Sequence, residues 1–249
     1  MVSKSRSRTS LARWRRWLWA LLAGALIPVA SLYGYFLGVR HEAARSAAFP
    51  VLGTAPVYTM TNQLGREVSS NSFRGKVQLV SFLFPYCTTM CPLIAAHLAN
   101  LENLGLGPAG IENDVQIVSF NLDPADTGPK EMRAFLTQYG WNPGDLHWQY
   151  LIGSAKDIHR VVTGGFGVGY KRISGSEEGG GRTGNFAVVQ PEVVNQLAER
   201  AHVDYDIVHD DVLEIVDQQG RTRKTYDNAD TVDWRELLSV ARSLVQRPG

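Results

Sequence analysis

Cysteine is scarce in this chain, which has only two among 249 residues. Domains that are held together by disulfides carry many more, so a disulfide-stapled scaffold is excluded. Net charge is also small, because 25 Lys and Arg side chains face 24 Asp and Glu side chains. Hydrophobic residues make up 44% of the chain, which is enough to bury a core and excludes wholesale disorder. The length allows one large domain or two small ones.

The small net charge conceals an uneven distribution along the chain. Residues 1–16 contain six basic side chains and no acidic one, whereas the rest of the chain carries 19 basic and 24 acidic side chains. A nucleic-acid-binding domain needs its positive charge on the folded surface. The acidic body of this chain therefore argues against nucleic acid as a partner.

Residues 17–39 lack charged side chains over 23 positions, enough for a helix to cross a bilayer core about 30 Å thick. This stretch is longer than the apolar region of a cleavable signal peptide. We therefore predict an uncleaved transmembrane anchor. By the positive-inside rule, the basic residues before it predict that residues 1–16 are cytoplasmic. The residues after about 40 are then periplasmic, at a bacterial inner membrane. The Arg- and Ser-rich start also fits a mitochondrial transit peptide, which makes the mitochondrial inner membrane the alternative.

Residues 40–55 are small, polar and interrupted by proline, which predicts a linker between the anchor and a domain over 56–249. The Gly-rich stretch 174–184 is too polar to pack and predicts a mobile loop or insertion. Ser154 is placed to cap a following helix.

Apolar runs rich in β-forming residues alternate with helical periodicity through the predicted domain. The predicted strands cover 57–60, 67–68, 76–84, 115–120, 148–152, 212–216 and 222–226. The predicted helices cover 92–104, 130–139, 155–164 and 231–245. Strands separated by helices of this length predict an α/β fold, with a central sheet flanked by helices.

Both cysteines lie in the segment FPYCTTMCP, residues 84–92. The chain there leaves a predicted strand and enters a predicted helix, whose unpaired N–H groups and dipole stabilise thiolates. Thiolates attack disulfides and also bind soft metal ions, so Cys87 and Cys91 are candidates for either chemistry. A structural disulfide is the alternative, although so short a loop would constrain the unfolded chain only weakly.

Two thiolates leave a metal ion under-coordinated, so a histidine from another part of the chain is a candidate third ligand. Of the six histidines, His209 lies just before the predicted strand of the last hairpin, in the segment YDIVHDDV. A lone histidine is a weak signal without its partners. Ordinary structural or surface roles suffice for the other five, His41, His97, His147, His159 and His202.

Three segments, in this order, resemble the Sco/SenC family of membrane-anchored copper proteins. The first is GKV at 75–77 leading into the cysteine segment at 84–92. The second is VSFNLDPADT at 118–127. The third is YDIVH at 205–209, followed by an apolar strand and a DxxG turn at 217–220. The resemblance runs from about residue 55 to residue 245 and includes the predicted anchor.

The resemblance implies a thioredoxin-like fold in which Cys87, Cys91 and His209 bind copper. It also implies a supporting role for Asp123, without direct ligation. Such proteins help to insert copper into the binuclear centre of cytochrome c oxidase. The implied partners are thus the copper-bearing oxidase subunit or another copper enzyme, and an upstream copper donor. Two thiolates favour Cu(I), and an added imidazole allows Cu(II) as well.

A copper-binding assembly factor, rather than a turnover enzyme, is the function that we expect. The alternative is a thiol–disulfide reductase, in which Cys87 and Cys91 act on cysteines of an oxidase subunit or another extracytoplasmic partner. An oxidised pair cannot hold copper, so redox state is a natural switch. His209 discriminates between the two functions, because dithiol exchange does not need it. A peroxide-reducing enzyme is a weaker third possibility. The sequence at residues 85–87 does not provide the surroundings that the reactive cysteine of such an enzyme needs.

Overall fold

The computed structural model describes residues 49–174 and 205–246. All but the first two of these belong to the second of two compact units of the chain, Val51–Gly249. The predicted basic segment, the transmembrane anchor at 17–39 and nearly all of the Gly-rich stretch lie outside the described residues. Among the helices that are described, none is both long and apolar enough to span a membrane.

The described domain is built from short strands that alternate with helices. The strands are β1 (Gly53–Thr54), β2 (Thr59–Asn62), β3 (Glu67–Ser69), β4 (Val77–Leu83), β5 (Val115–Asn121), β6 (Trp148–Ile152), β7 (Tyr170–Ser174), β8 (Tyr205–His209), β9 (Leu213–Val216) and β10 (Arg221–Tyr226). The α-helices are α1 (Cys91–Asn100), α2 (Pro129–Gln138), α3 (Ala155–Val162) and α4 (Trp234–Val245). Helix α1 continues through a π-helical segment, Leu101–Leu106, into a short turn, Gly107–Ala109, and 3-10 turns cover Ser70–Phe73 and Glu112–Asp114.

Eight strands form one sheet, in the order β1-β10-β9-β4-β5-β6-β2-β3. Strands β4, β5 and β6 are parallel to one another at its centre, and β4 pairs antiparallel with β9 on its other side. Every residue of β4 and β5 is buried, as expected for parallel strands that are covered on both faces. The α/β fold with a central sheet flanked by helices is thus confirmed.

Local sequence signals account for how two of the helices begin. The Ser154 hydroxyl accepts a hydrogen bond of 3.1 Å from the Asp157 N–H, which is the predicted cap of α3. Helix α1 begins at Cys91 with Pro92 in its first turn, where the missing N–H would have no partner in any case. The sulfur of Cys91 therefore lies at the N-terminus of a helix.

The structure differs from the sequence predictions at two places. Strands β7 and β8, which were not predicted as a pair, form a separate two-stranded antiparallel sheet, with Tyr170 opposite His209. His209 is therefore the last residue of a strand and does not merely precede one. Within the predicted linker, Gly53 and Thr54 pair with β10, because the unpaired edge of that strand accepts a further strand.

Candidate metal centre

Cys87 lies in the turn that joins β4 to α1. Its N–H donates to the carbonyl of Phe84 at 3.2 Å, which closes the turn. The N–H of Cys91, the first residue of α1, donates to Cys87 Sγ at 3.4 Å. The helix N-terminus therefore directs both a hydrogen bond and the positive end of its dipole at this sulfur. Both thiols are free and buried.

His209 brings a ring nitrogen to the two sulfurs. Its Nε2 lies 3.5 Å from Cys91 Sγ, and its Nδ1 lies 2.9 Å from the carbonyl oxygen of Asp210. Because a carbonyl oxygen only accepts, Nδ1 carries a hydrogen and Nε2 is directed at the cysteines. One ligand atom from each of the three residues Cys87, Cys91 and His209 lies within 4.8 Å of the others.

The surroundings of the two thiols separate their acidities. Burial raises the pKa of Cys87, but hydrogen bonds from Cys91 and His209 outweigh it and hold that pKa well below its usual range. Burial and the hydrogen bond to Cys87 both raise the pKa of Cys91 well above its usual range. Burial lowers the pKa of His209, but its interaction with the Cys87 thiolate outweighs that effect and raises it. Cys87 is therefore the thiolate of the pair.

This arrangement can carry out two kinds of chemistry. Two sulfurs and one imidazole nitrogen form a donor set for soft metal ions. Binding of a metal ion requires deprotonated thiols, so it would release the proton that Cys91 carries. The sulfurs are also near enough to form a disulfide after a small movement. In disulfide exchange the Cys87 thiolate would be the attacking group.

Asp123, the fourth predicted site residue, is not part of this group of three. It lies just after β5, only 2% exposed, and its carboxylate accepts a hydrogen bond from the Tyr205 hydroxyl. Nη1 of Arg172 lies 3.7 Å from Asp123 Oδ1. Burial raises the pKa of Asp123, although Tyr205 and Arg172 oppose that effect. The structure therefore connects Asp123 to the strand that carries His209.

Tyr205 and Arg172 are residues near the site that the sequence analysis did not single out. The Arg172 guanidinium lies 3.6 Å from the centre of the Tyr205 ring and forms an ion pair with Asp126. The spacing of Tyr205 from His209 is a signal that could have identified it. Residues four apart in a strand lie on the same face, so a strand at 205–209 would place both side chains together.

A dithiol at the start of a helix, with a histidine beside it on an α/β sheet, is an arrangement that can bind a soft metal ion or exchange disulfides. The SCO1/SenC family model matches residues 51–192, which is more than half of the chain, and the chain belongs to that family. The predicted family is thus confirmed. The match includes both cysteines and ends before His209, so the histidine is assigned from the structure.

Individual relatives agree with this assignment. The SCO1 protein homolog of Bacillus subtilis is 26% identical over 188 residues, which cover 75% of this chain and 80% of that protein. The structure of Bradyrhizobium japonicum ScoI with copper bound is 19% identical, with a TM-score of 0.55 over 77% of this chain and 99% of that chain. A second structure is that of BsSco, described as a member of the Sco family of cytochrome c oxidase assembly proteins with a disulfide switch. It is 24% identical to this chain, with a TM-score of 0.56 over 80% of this chain and 97% of that chain. The two structures share the fold of this chain.

Proposed function

We propose that this chain binds copper through Cys87, Cys91 and His209 and passes it to a copper enzyme during assembly. The proposed recipient is the binuclear copper centre of cytochrome c oxidase. The observation that carries the proposal is the placement of two sulfurs and an imidazole nitrogen within 4.8 Å of one another. The family supports it, since a relative of the same fold is described with copper bound and another as an oxidase assembly protein.

The burial of the three ligands suits a site that keeps copper until a partner docks. Cys91 is fully buried, whereas Cys87 and His209 are 5% and 6% exposed. A recipient would therefore approach the metal from the side of Cys87 and His209. Two thiolates favour Cu(I), and the imidazole lets the same site accept Cu(II). Transfer would then proceed by exchange of ligands, and the chain is a binding and transfer protein rather than a turnover enzyme.

The proposal includes a membrane location. The 23 uncharged residues at 17–39 and the six basic residues before them support a single-pass anchor with a cytoplasmic N-terminus and a periplasmic domain. The anchor would keep the copper site beside the membrane that contains the oxidase. An upstream donor would supply the copper.

An anaerobic copper titration of the reduced 249-residue chain tests the proposed ligand set. We expect one tightly bound copper ion per wild-type chain, and loss of tight binding in Cys87→Ser and His209→Ala. The matched control is His159→Ala, because His159 is an exposed histidine on α3 and its loss should leave the titration unchanged. Wild-type affinity in His209→Ala would rule out the three-ligand site.

A thiol–disulfide reductase is the second candidate function. It is favoured by the low pKa of the Cys87 thiol, because a thiolate is the attacking group in disulfide exchange. In that reaction Cys87 would attack a partner disulfide, and Cys91 would then displace the reduced partner and close the Cys87–Cys91 disulfide. His209→Ala should abolish tight copper binding but leave the dithiol able to react, at a lower rate because His209 helps to hold the pKa of Cys87 down. If the wild-type chain binds copper but shows no reductase activity, the reductase function is rejected and copper transfer remains as the proposed function.

A further inference from the structure

The strand that carries His209 has its backbone partner in one other short strand, β7. Strands β7 and β8 pair with each other, and within the described residues neither is a member of the eight-stranded sheet. At the His209 end, the N–H of Asp210 donates to the Gly169 carbonyl, and the N–H of Gly169 donates to Asp210 Oδ2 at 2.7 Å. These bonds tie the two strands to each other and not to the central sheet.

Strands β7 and β8 are far apart in the sequence. Thirty residues, 175–204, separate them, so a two-residue hairpin turn does not set their register. A two-stranded sheet by itself is only marginally stable in water. Contacts between this pair of strands and the body of the domain must therefore contribute to the placement of His209.

Side chains from both strands of the pair make such contacts. The Tyr205 hydroxyl, at the start of β8, donates to the buried carboxylate of Asp123. Arg172, in β7, forms an ion pair with Asp126, lies 3.7 Å from Asp123 and stacks on the Tyr205 ring. We call these four residues the Asp123 cluster. Both strands of the pair are joined to the segment after β5 through it.

Hydrogen bonds to neighbouring residues hold Asp123 in place after β5. The N–H of Asp123 donates to Asn121 Oδ1 at 3.0 Å, and the Thr127 hydroxyl donates to the Asp123 carbonyl at 2.6 Å. The Asn121 amide donates in turn to Thr127 Oγ1 at 2.8 Å. Because Asn121 is the last residue of β5, these bonds attach Asp123 to the central sheet.

We propose that Tyr205 and Arg172 are positioning residues, which hold the β7–β8 pair against the end of β5 and thereby keep His209 within reach of Cys87 and Cys91. Tyr205 and His209 lie on the same face of one short strand, so the hydroxyl contact at one end constrains the imidazole at the other. Neither residue contacts the metal. The consequence for copper affinity rests on the proposed function, whereas the placement of the strands does not.

Hydrogen exchange of the reduced, metal-free 249-residue chain tests the placement directly. The variants are Tyr205→Phe, which keeps the ring and removes the hydroxyl, and Arg172→Gln. The matched control is Lys171→Gln, because Lys171 precedes Arg172 in β7 but is exposed opposite the exposed Val208.

We expect amide exchange in β7 and β8 to accelerate about tenfold or more in the two test variants, because local opening becomes easier. It should not accelerate in Lys171→Gln. Exchange in β4 and β5 should not change. Unchanged exchange of β7 and β8 in both test variants would overturn the proposal.

Copper binding by the same variants tests the effect on His209. Loss of an outer contact that orients a ligand costs about 10–100-fold in metal affinity, and we expect that loss in Tyr205→Phe and Arg172→Gln. The nitrogen hyperfine pattern of bound Cu(II) should change with it, which a general loss of stability would not cause. Wild-type affinity and spectrum in both variants would overturn the proposal even if exchange accelerates. If the wild-type chain binds no copper, the proposed function fails, and the exchange experiment alone decides the positioning proposal.

Discussion

Cys87 and Cys91 differ in what surrounds their sulfur atoms. Cys87 receives the N–H of Cys91 at the start of α1, and Thr89 Oγ1 lies 3.5 Å from its sulfur. Cys91 is fully buried and lies beside the His209 imidazole. Negative charge on the pair is therefore stabilised at Cys87, while the proton remains on Cys91.

We predict that an alkylating reagent modifies Cys87 before Cys91 in the reduced, metal-free chain. The lowered pKa of Cys87 favours its thiolate at pH values where a free thiol, with a pKa of about 8.5, is mostly protonated. The rate at Cys87 should therefore fall far less between pH 8 and pH 6 than the rate of a free cysteine. Peptide mapping by mass spectrometry measures both rates. Earlier modification of Cys91 would contradict the assignment of the thiolate.

The elements that carry the site differ in how strongly their local sequence predicts them. Strands β4, β5 and β6 are mostly apolar and rich in β-forming residues, and α3 has a capping serine, so their bounds could be predicted within a few residues. Strands β7 and β8 could not, because each mixes charged and apolar residues. Their pairing also depends on partners that lie on either side of residues 175–204. Such pairing is set by tertiary contacts, which no local pattern contains.

Strand β9 contains a buried carboxyl group whose ionisation costs stability. Glu214 is 5% exposed and accepts a hydrogen bond of 3.0 Å from the Thr222 hydroxyl of β10. Burial raises its pKa from 4.5 to about 7, and the Thr222 bond opposes this only in part. Between these two values the unfolded chain has ionised Glu214 and the folded chain has not. This group therefore makes the free energy of unfolding fall as the pH rises from 4.5 to 7.

Glu214→Gln should remove this dependence, because an amide keeps the same shape and has no charge to bury. Relative to the wild-type chain, we predict that the variant gains roughly 1–3 kcal/mol in free energy of unfolding between pH 5 and pH 8, at about 1.4 kcal/mol per unit of pKa difference. Urea unfolding of both proteins at the two pH values measures the gain. An equal difference between the two proteins at pH 5 and at pH 8 would show that Glu214 ionises normally in the fold.

At the scale of the whole molecule, the site joins distant parts of the chain. Cys91 and His209 are 118 residues apart, and Asp123 and Tyr205 are 82 residues apart. The cysteine pair was predictable, because four residues at a strand-to-helix turn bring the sulfurs together locally. His209 needed the family resemblance, since no local pattern connects it to the cysteines. The contact of Asp123 with Tyr205 needed the fold, because it depends on where β8 lies against the end of β5.

Assembly of the site from distant segments implies that bound copper stabilises the whole fold. A ligand that binds only the folded chain adds to its stability in proportion to the logarithm of its concentration over Kd. Copper should therefore raise the Tm of the reduced wild-type chain and leave that of His209→Ala nearly unchanged. Scanning calorimetry under anaerobic conditions measures the shift. An equal rise in both proteins would mean that the metal binds elsewhere.

X-ray absorption at the copper edge of the loaded, reduced chain tests the central claim most directly, because it counts the ligand atoms around the metal. For the wild-type chain we predict a coordination shell of two sulfurs and one imidazole nitrogen. Copper added in excess to His209→Ala, which should no longer bind it tightly, should show no imidazole signal. A single sulfur in the wild-type shell, or an imidazole signal that persists in His209→Ala, would contradict the account.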